Sequence, residues 1–370
     1  MKKIRIGILF GGQSSEHEIS IISACSIIKN LDPTKYIAIP IYIATNGKWH
    51  LLELNSSIEN EVKKIQNSGN VDENFSITDY VRADKESKQL DVIFPILHGL
   101  LGEDGAIQGM LELLEIPYIS AGILSSAIAM DKDITKKFVQ QHGIDVTPFI
   151  SIKEPEYHDT VLDEILDKFN FPLFIKPSNS GSSIGINKAK NINELEEAIS
   201  EAFKYDQKIL IEQAIIGREI EVSVLENIDN YNEPIVSYPG ELIPNDEFYS
   251  YKAKYIMKEG AKFEIPAQLS TDMENLIRKS AGDIFKILEC SCLARVDFLI
   301  ENKTQQVFFN EINTLPGFTE ISLYPKLLEH YGIGYSGLLD KLVDLAMKKY
   351  QVGQKKIKNA IKMVQYSINH

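Results

Sequence analysis

Two apolar stretches in the C-terminal third, Leu293 to Ile300 and Val307 to Ile312, constrain the fold of this chain more than any other feature. Polar residues two apart interrupt the first at Arg295-Val296-Asp297 and end the second at Asn310-Glu311-Ile312-Asn313. Side chains two apart on a strand share a face, so each stretch predicts a buried strand with one polar patch. A hairpin through Glu301 to Gln306 would bring Asp297 beside Glu311. Three oxygen-bearing side chains, Asp297, Glu311 and Asn313, would then converge, two of them anionic. That set suits magnesium, which takes oxygen ligands, keeps waters and shares nucleotide phosphates. For either strand alone, a polar face turned to solvent is the plainer reading; two paired faces weaken it. The next residues, Thr314-Leu315-Pro316-Gly317-Phe318-Thr319, form a Pro-Gly turn whose amides can approach a ligand.

The 370 residues suffice for two or three domains. Ile4 to Phe10 reads as a buried parallel strand bounded by Gly11-Gly12, and Ser20 to Leu31 as a helix. Tyr36 to Tyr42, Val92 to Leu97 and the short Tyr118-Ile119 are further strands, with a helix marked by Leu111 and Leu114. This order predicts an α/β layer with a parallel sheet. Its active edge would lie at the strand C-termini, near Gly11-Gly12 and His98-Gly99. Asp131 to His142 reads as a helix ended by Gly143. The pattern then becomes strand-rich (Pro172 to Lys176, Ile184 to Asn187, Ile209 to Gln213, Ile220 to Leu225), with a helix at Ile192 to Tyr205. A third block holds an irregular stretch from Glu241 to Lys262, a helix from Thr271 to Leu288, the two polar-faced strands and C-terminal helices. The expected division is 1–130, 131–220 and 221–370, α/β followed by α+β.

A second chemical signal follows the strand ending at Lys176. Lys176-Pro177-Ser178-Asn179-Ser180-Gly181-Ser182-Ser183-Ile184-Gly185 offers amides and hydroxyls that can wrap phosphate oxygens. It is neither a Walker A loop nor a dinucleotide fingerprint, and a hairpin turn is the alternative. Lys176, at the end of a buried strand, favours an anionic partner. Lys132 is a second candidate phosphate cation. Ile211-Glu212-Gln213-Ala214-Ile215 suits an adenine edge, and Glu219 could meet ribose hydroxyls.

Composition narrows the classes. Lysine and arginine number 39 against 52 acids, a formal charge of −13, which argues against general nucleic-acid binding. No apolar run is long enough to span a bilayer, and the N-terminal stretch is too short for a signal peptide. Cys25, Cys290 and Cys292 fit neither a disulfide framework nor a zinc pattern and read as free thiols of a cytoplasmic protein. The tail after Lys348 is basic, without an acid to His370, and reads as a solvated amphipathic helix.

In combination these motifs resemble the ATP-grasp superfamily and, within it, the D-alanine–D-alanine ligase family. The resemblance runs from Gly11 to about Leu345. Its motifs are Gly11 to Ser20, His98-Gly99 with Gly102-Glu103-Asp104-Gly105, Met130-Asp131-Lys132, the Lys176 loop, Tyr249 to Tyr255, Arg295-Val296-Asp297 and Glu311 to Gly317. It implies a three-domain ATP-grasp architecture with an N-terminal parallel-sheet domain, and an ATP-dependent joining of two D-alanines for peptidoglycan precursors.

The implied nucleotide contacts are Lys132 and Lys176 on phosphates, Ser182 and Ser183 in the loop, Glu212, Gln213 and Ile215 at the adenine, and Glu219 at the ribose. Two magnesium ions, replaceable by manganese, would sit on Asp297, Glu311 and Asn313. Glu16 would meet the ammonium of the first D-alanine and His98 its carboxylate, with Ser322 and Leu323 at the second carboxylate. Lys254 would reach a phosphate from a mobile loop, closed by Tyr255 against Glu16 and Ser182. Arg295 and the Gly317 amide would stabilise the tetrahedral oxyanion. Tyr255 favours an amine acceptor over D-lactate, and a homodimer is expected by family analogy. Two departures stand out: Gln213 where many relatives have lysine, and Asn227 to Ser237, expected to be a surface insertion. A D-alanine–D-serine variant and a nucleotide-binding regulatory module without turnover remain open alternatives.

Overall fold

The computed structural model describes residues 2–53, 56–68, 75–82, 90–182, 184–230, 232–244 and 261–369. The first block runs β1 (Ile4–Gly11), α1 (His17–Asn30), β2 (Tyr36–Ile43), β3 (Trp49–Leu51), α2 (Ile58–Ser68), α3 (Ile77–Arg82), β4 (Val92–Pro95), α4 (Ala106–Leu113) and α5 (Ile123–Met130). Its sheet has the order β3-β2-β1-β4, and β1 is parallel to both neighbours. A central parallel strand is covered on both faces, which is why β1 is apolar without alternation. Tyr118 makes only an isolated bridge to Ile93, not the expected strand. Pro117 has no N–H to extend the ladder.

The middle block holds α6 (Lys132–Gln141), β5 (Phe149–Lys153), α7 (Asp159–Lys168), β6 (Leu173–Pro177), β7 (Asn187–Ala189), α8 (Ile192–Ala202) and β8 (Lys208–Gln213). Its antiparallel sheet, β5-β8-β6-β7, buries Leu173, Ile175, Ile209 and Ile211 against Ile165 of α7 and Leu195 and Ile199 of α8. The strand expected at Ile184 begins only at Asn187, because Gly185 takes a left-handed φ of 70°.

The last block holds β9 (Gly217–Leu225), β10 (Ile235–Val236), β11 (Gly240–Pro244), β12 (Ala261–Glu264), α9 (Thr271–Ile287), β13 (Leu293–Glu301), β14 (Val307–Asn313), α10 (Leu323–His330) and α11 (Tyr335–Asn369). Its sheet runs β12-β11-β9-β13-β14, with β10 beside β9, and the pairings are antiparallel. Ile277, Ala281, Ile284 and Phe285 of α9 bury one face against Val222, Val224, Val296 and Phe298. The boundary expected between 220 and 221 falls inside β9. The Asn227 to Ser237 segment is no mere surface insertion: it ends in β10, and Ser237 is fully buried, accepting from the Ser223 amide at 3.0 Å. The stretch expected to be irregular from Glu241 to Lys262 is paired strand at both ends, with Leu242 opposite Phe263.

Helix α11 leaves its own block. Leu338, Leu339, Leu342 and Val343 share a core with Ile6, Ile8 and Phe10 of β1. No described helix is long and apolar enough to cross a membrane.

Candidate active site

The hairpin expected from the two polar-faced strands is present. Asp297 of β13 lies opposite Glu311 of β14, and Arg295 opposite Asn313. On its other side Asp297 is in register with Glu221 of β9. A row of three acids therefore crosses three strands, although among the described residues no three carboxylate, imidazole or thiol groups converge as a metal-holding cluster. Arg295 is the buried cation among them. It donates to both oxygens of Asp297 at 2.8 and 2.7 Å, and its Nε lies 2.9 Å from Glu221. Burial opposes its charge, but the two acids hold the guanidinium above its ordinary range.

Facing this row is a cluster of opposite sign. Lys136 of α6 and Lys176 of β6 each lie 2.6 Å from one oxygen of Glu212 on β8. The side chains of Lys136 and Glu212 are 1% and 2% exposed. Burial raises the Glu212 carboxyl, yet the two ammonium groups outweigh it and hold it at about 2. Lys136 is pushed down to about 8, chiefly by burial. Lys136 also lies over the Phe149 ring and Lys176 over Phe174, at 5.8 and 5.9 Å. Lys132 links the clusters: its Nζ donates to the Ser180 carbonyl at 2.6 Å and lies 3.9 Å from Glu311. Asp131 caps α6 by accepting from the Ile134 amide, and it binds the Lys208 ammonium at 2.6 Å, fixing the helix start that carries Lys132.

Between the clusters and the first sheet lies a cavity of about 740 Å³, lined from three sides. Glu16 and His98 come from the first block, Lys132 and Ser182 from the second, and Arg295, Glu311, Asn313, Gly317, Ser322 and Leu323 from the third. Ser182 donates its hydroxyl to Glu16 across the cavity. A side-chain carbon at Gly181 would meet Glu16 Oε2 at 2.8 Å, and one at Gly317 would meet Ser322 Oγ at 2.8 Å, so a larger residue at either position would displace one of these cavity side chains. Ser322 precedes α10, and its hydroxyl accepts from the Thr319 amide at 3.0 Å.

His98 is held from both sides, with Nε2 3.1 Å from Ser23 Oγ and Nδ1 3.6 Å from Glu103. Burial works against its charge, but Glu103 raises its pKa. Glu103 is itself pushed up to about 7 by burial and by Glu16.

Several sequence candidates do not line this cavity. Asp297 lies beneath it, held by Arg295, while Lys176 and Glu212 lie behind it. Gln213 uses its side chain on Asn170 and Pro172 and its amide on the Pro148 carbonyl. Ile215 lies in the connection between β8 and β9 and Glu219 within β9, and neither lines the cavity. Ser183, Lys254 and Tyr255, with the aromatics from Phe248, lie outside the described residues. Sequence reading missed Lys136, Glu221 and Glu103. Lys136 sits one helical turn after Lys132, and Glu221 belongs to the alternation Glu219, Glu221, Ser223 within β9. Periodicity gives the face that each shares, but not the partner it meets. Glu103 belonged to a quoted motif without a role.

Residues 5–121 match the family model described as D-ala D-ala ligase N-terminus, and residues 138–344 that described as D-ala D-ala ligase C-terminus. A D-alanine--D-alanine ligase of Caldicellulosiruptor bescii is 48% identical over 365 residues, covering 94% of this chain and 96% of that one. One from Acetivibrio thermocellus is 44% identical over 369 residues, covering 94% and 97%. The structure of the D-alanine-D-alanine ligase from Coxiella burnetii superposes with a TM-score of 0.84 at 36% identity, over 99% of this chain and 100% of that chain. VanG D-Ala:D-Ser ligase from Enterococcus faecalis gives 0.80 at 35%, over 93% and 100%. The three-sheet architecture with its cavity between them is that of an ATP-grasp enzyme. The chain belongs to the D-alanine–D-alanine ligase family.

Proposed function

We propose that the cavity is where one D-alanine is activated by ATP and a second attacks it. The chain is an ATP-dependent ligase that joins two D-alanines to D-alanyl-D-alanine, releasing ADP and phosphate, for cell-wall precursor synthesis. The observation that carries the reading is the opposition of a buried cationic cluster and a row of acids across one cavity.

A carboxylate is inert to an amine. Transfer of the γ-phosphoryl group to a carboxylate oxygen breaks the bond to ADP and makes an acyl phosphate. Lys132 and Lys176 lower the repulsion between carboxylate and triphosphate in that step. Glu212 and Ile215 lie at the adenine and Glu219 at the ribose; Ser182, Ser183 and Lys254 hold phosphates. Glu16 holds the first ammonium, oriented by Ser182, and His98 the first carboxylate. Ser322 and Leu323, at the start of α10, receive the second carboxylate, where free helix amides favour an anion. The second amine then attacks the acyl carbon, and phosphate leaves. Arg295 and the Gly317 amide stabilise the tetrahedral oxyanion. Tyr255 keeps water from the acyl phosphate.

Asp297, Glu311 and Asn313 offer hard oxygen donors of the kind magnesium or manganese takes and would hold such an ion. Such ions would neutralise triphosphate charge. The free Cys25, Cys290 and Cys292 accord with a cytoplasmic enzyme, and we assign it as a homodimer, testable by sedimentation.

Phosphate release from ATP upon addition of D-alanine tests the reading; absence of D-alanine dependence overturns it. Competition among D-alanine, D-serine and D-lactate, scored by product, tests the acceptor, with D-alanine expected to dominate. A D-serine preference would align the chain with its VanG-like neighbour instead.

A further inference from the structure

Two buried lysines share one carboxylate in this molecule, and only one of them can leave it. Lys136 is 1% exposed, does not line the cavity, and is anchored by both Glu212 and the Thr147 hydroxyl. Lys176 is 12% exposed at the side chain, and besides Glu212 it meets Asn310 at 3.4 Å, next to Glu311, and the Phe174 ring. The cluster holds two cations and one anion, so it carries a surplus positive charge in a poorly solvated place. A triphosphate would draw Lys176 toward it. If Lys176 were the sole partner of Glu212, its departure would strand a buried carboxylate without a counter-ion, which is strongly unfavourable.

We propose that Lys136 is a positioning residue for ATP: a fixed counter-ion that keeps Glu212 neutralised while Lys176 moves to a phosphate. Lys136 stays on Oε1, and Oε2, vacated by Lys176, becomes an acceptor for the nucleotide's exocyclic amine. One carboxylate thereby serves the base end while the lysine it released serves the phosphate end. This inference rests on the ATP reading given above.

The test is direct titration of ATP into the protein without D-alanine, followed by steady-state kinetics. K136M should weaken ATP binding by about tenfold or more, while the KM for D-alanine moves little. K136R, which keeps the charge, should recover most of the affinity. In K136M/E212Q no carboxylate is left to strand, so affinity should return to within about threefold of E212Q alone. A merely structural lysine predicts no such recovery. Unchanged affinity in K136M, or a double variant tenfold or more weaker than E212Q, overturns the proposal. Should K136M fail to fold by circular dichroism, the comparison of K136M/E212Q with E212Q carries the test alone, and a tenfold loss there overturns it equally. If the wild-type chain binds no ATP, the functional reading itself fails; if wild type and K136M bind it alike, only this inference does.

Discussion

The two buried ionic clusters are mirror images in charge. Around Glu212 two cations share one anion; around Arg295 one cation is shared by two anions, with Glu311 beside them. A core that merely tolerates ions would balance each cluster, because uncompensated buried charge is costly. Here both imbalances face the same space and have opposite sign. Each is half of a site: the first lacks an anion, the second a cation. A nucleotide carried with its divalent ion supplies both at once.

The largest effect that would break this comparison lies on the acidic side. Glu311→Gln should lower turnover by about 10³-fold or more, because the divalent cation that would offset transition-state charge loses an anionic ligand. Its side chain is 35% exposed, so thermal stability should hardly change. Wild-type-like phosphate release in that variant would sink the assignment.

Next is Arg295→Met, which strands Asp297 and Glu221. Urea unfolding should show a loss of about 3–5 kcal/mol. Added magnesium should restore part of that loss, and more of it than it adds to wild type. An equal magnesium effect on both chains would mean that the acids attract no cation.

The basic side should respond to pH. The Glu212 carboxyl is held at about 2 against an ordinary 4.5. Its contribution to stability is therefore fully present above pH 4.5 and is lost as the pH falls toward 2. The gap in melting temperature between wild type and Glu212→Gln should narrow across that window. A gap that widens in acid contradicts the charge assignment.

The smallest effect belongs outside both clusters. Gln213→Ala should cost about 1 kcal/mol of stability by removing its bonds to Asn170 and Pro172. The KM for ATP should move less than about threefold, and a larger change would return Gln213 to the nucleotide site.

The metal hairpin was legible because strand periodicity is local: Asp297, Glu311 and Asn313 announce their face within a few residues. The Lys176 loop was legible for the same reason. What could not be read was partnership across distance. Nothing near Lys136 says that it meets Glu212, 76 positions later, since that contact forms only when the folded chain brings α6 to Phe149 and Glu212. Glu221 was hidden because its role appears only when β9 takes its register against β13. Glu212 carried a second ambiguity: the segment suited an adenine edge, yet both its oxygens are already held by lysines. The strand expected at Ile184 failed on one backbone angle at Gly185, which composition does not reveal.

The return of α11 to the first sheet has a kinetic side. Ile6, Ile8 and Phe10 are completed by Leu338, Leu339 and Leu342, more than 320 positions later, and Tyr36 is tied to Asp340 at 2.7 Å. During synthesis the first sheet is made early, and the core it shares with α1 and α2 stays incomplete until the last long helix arrives. Contacts of such sequence separation close slowly. The earliest part of this protein to be made is thus among the last to be finished, and a chain truncated before residue 335 leaves that core incomplete.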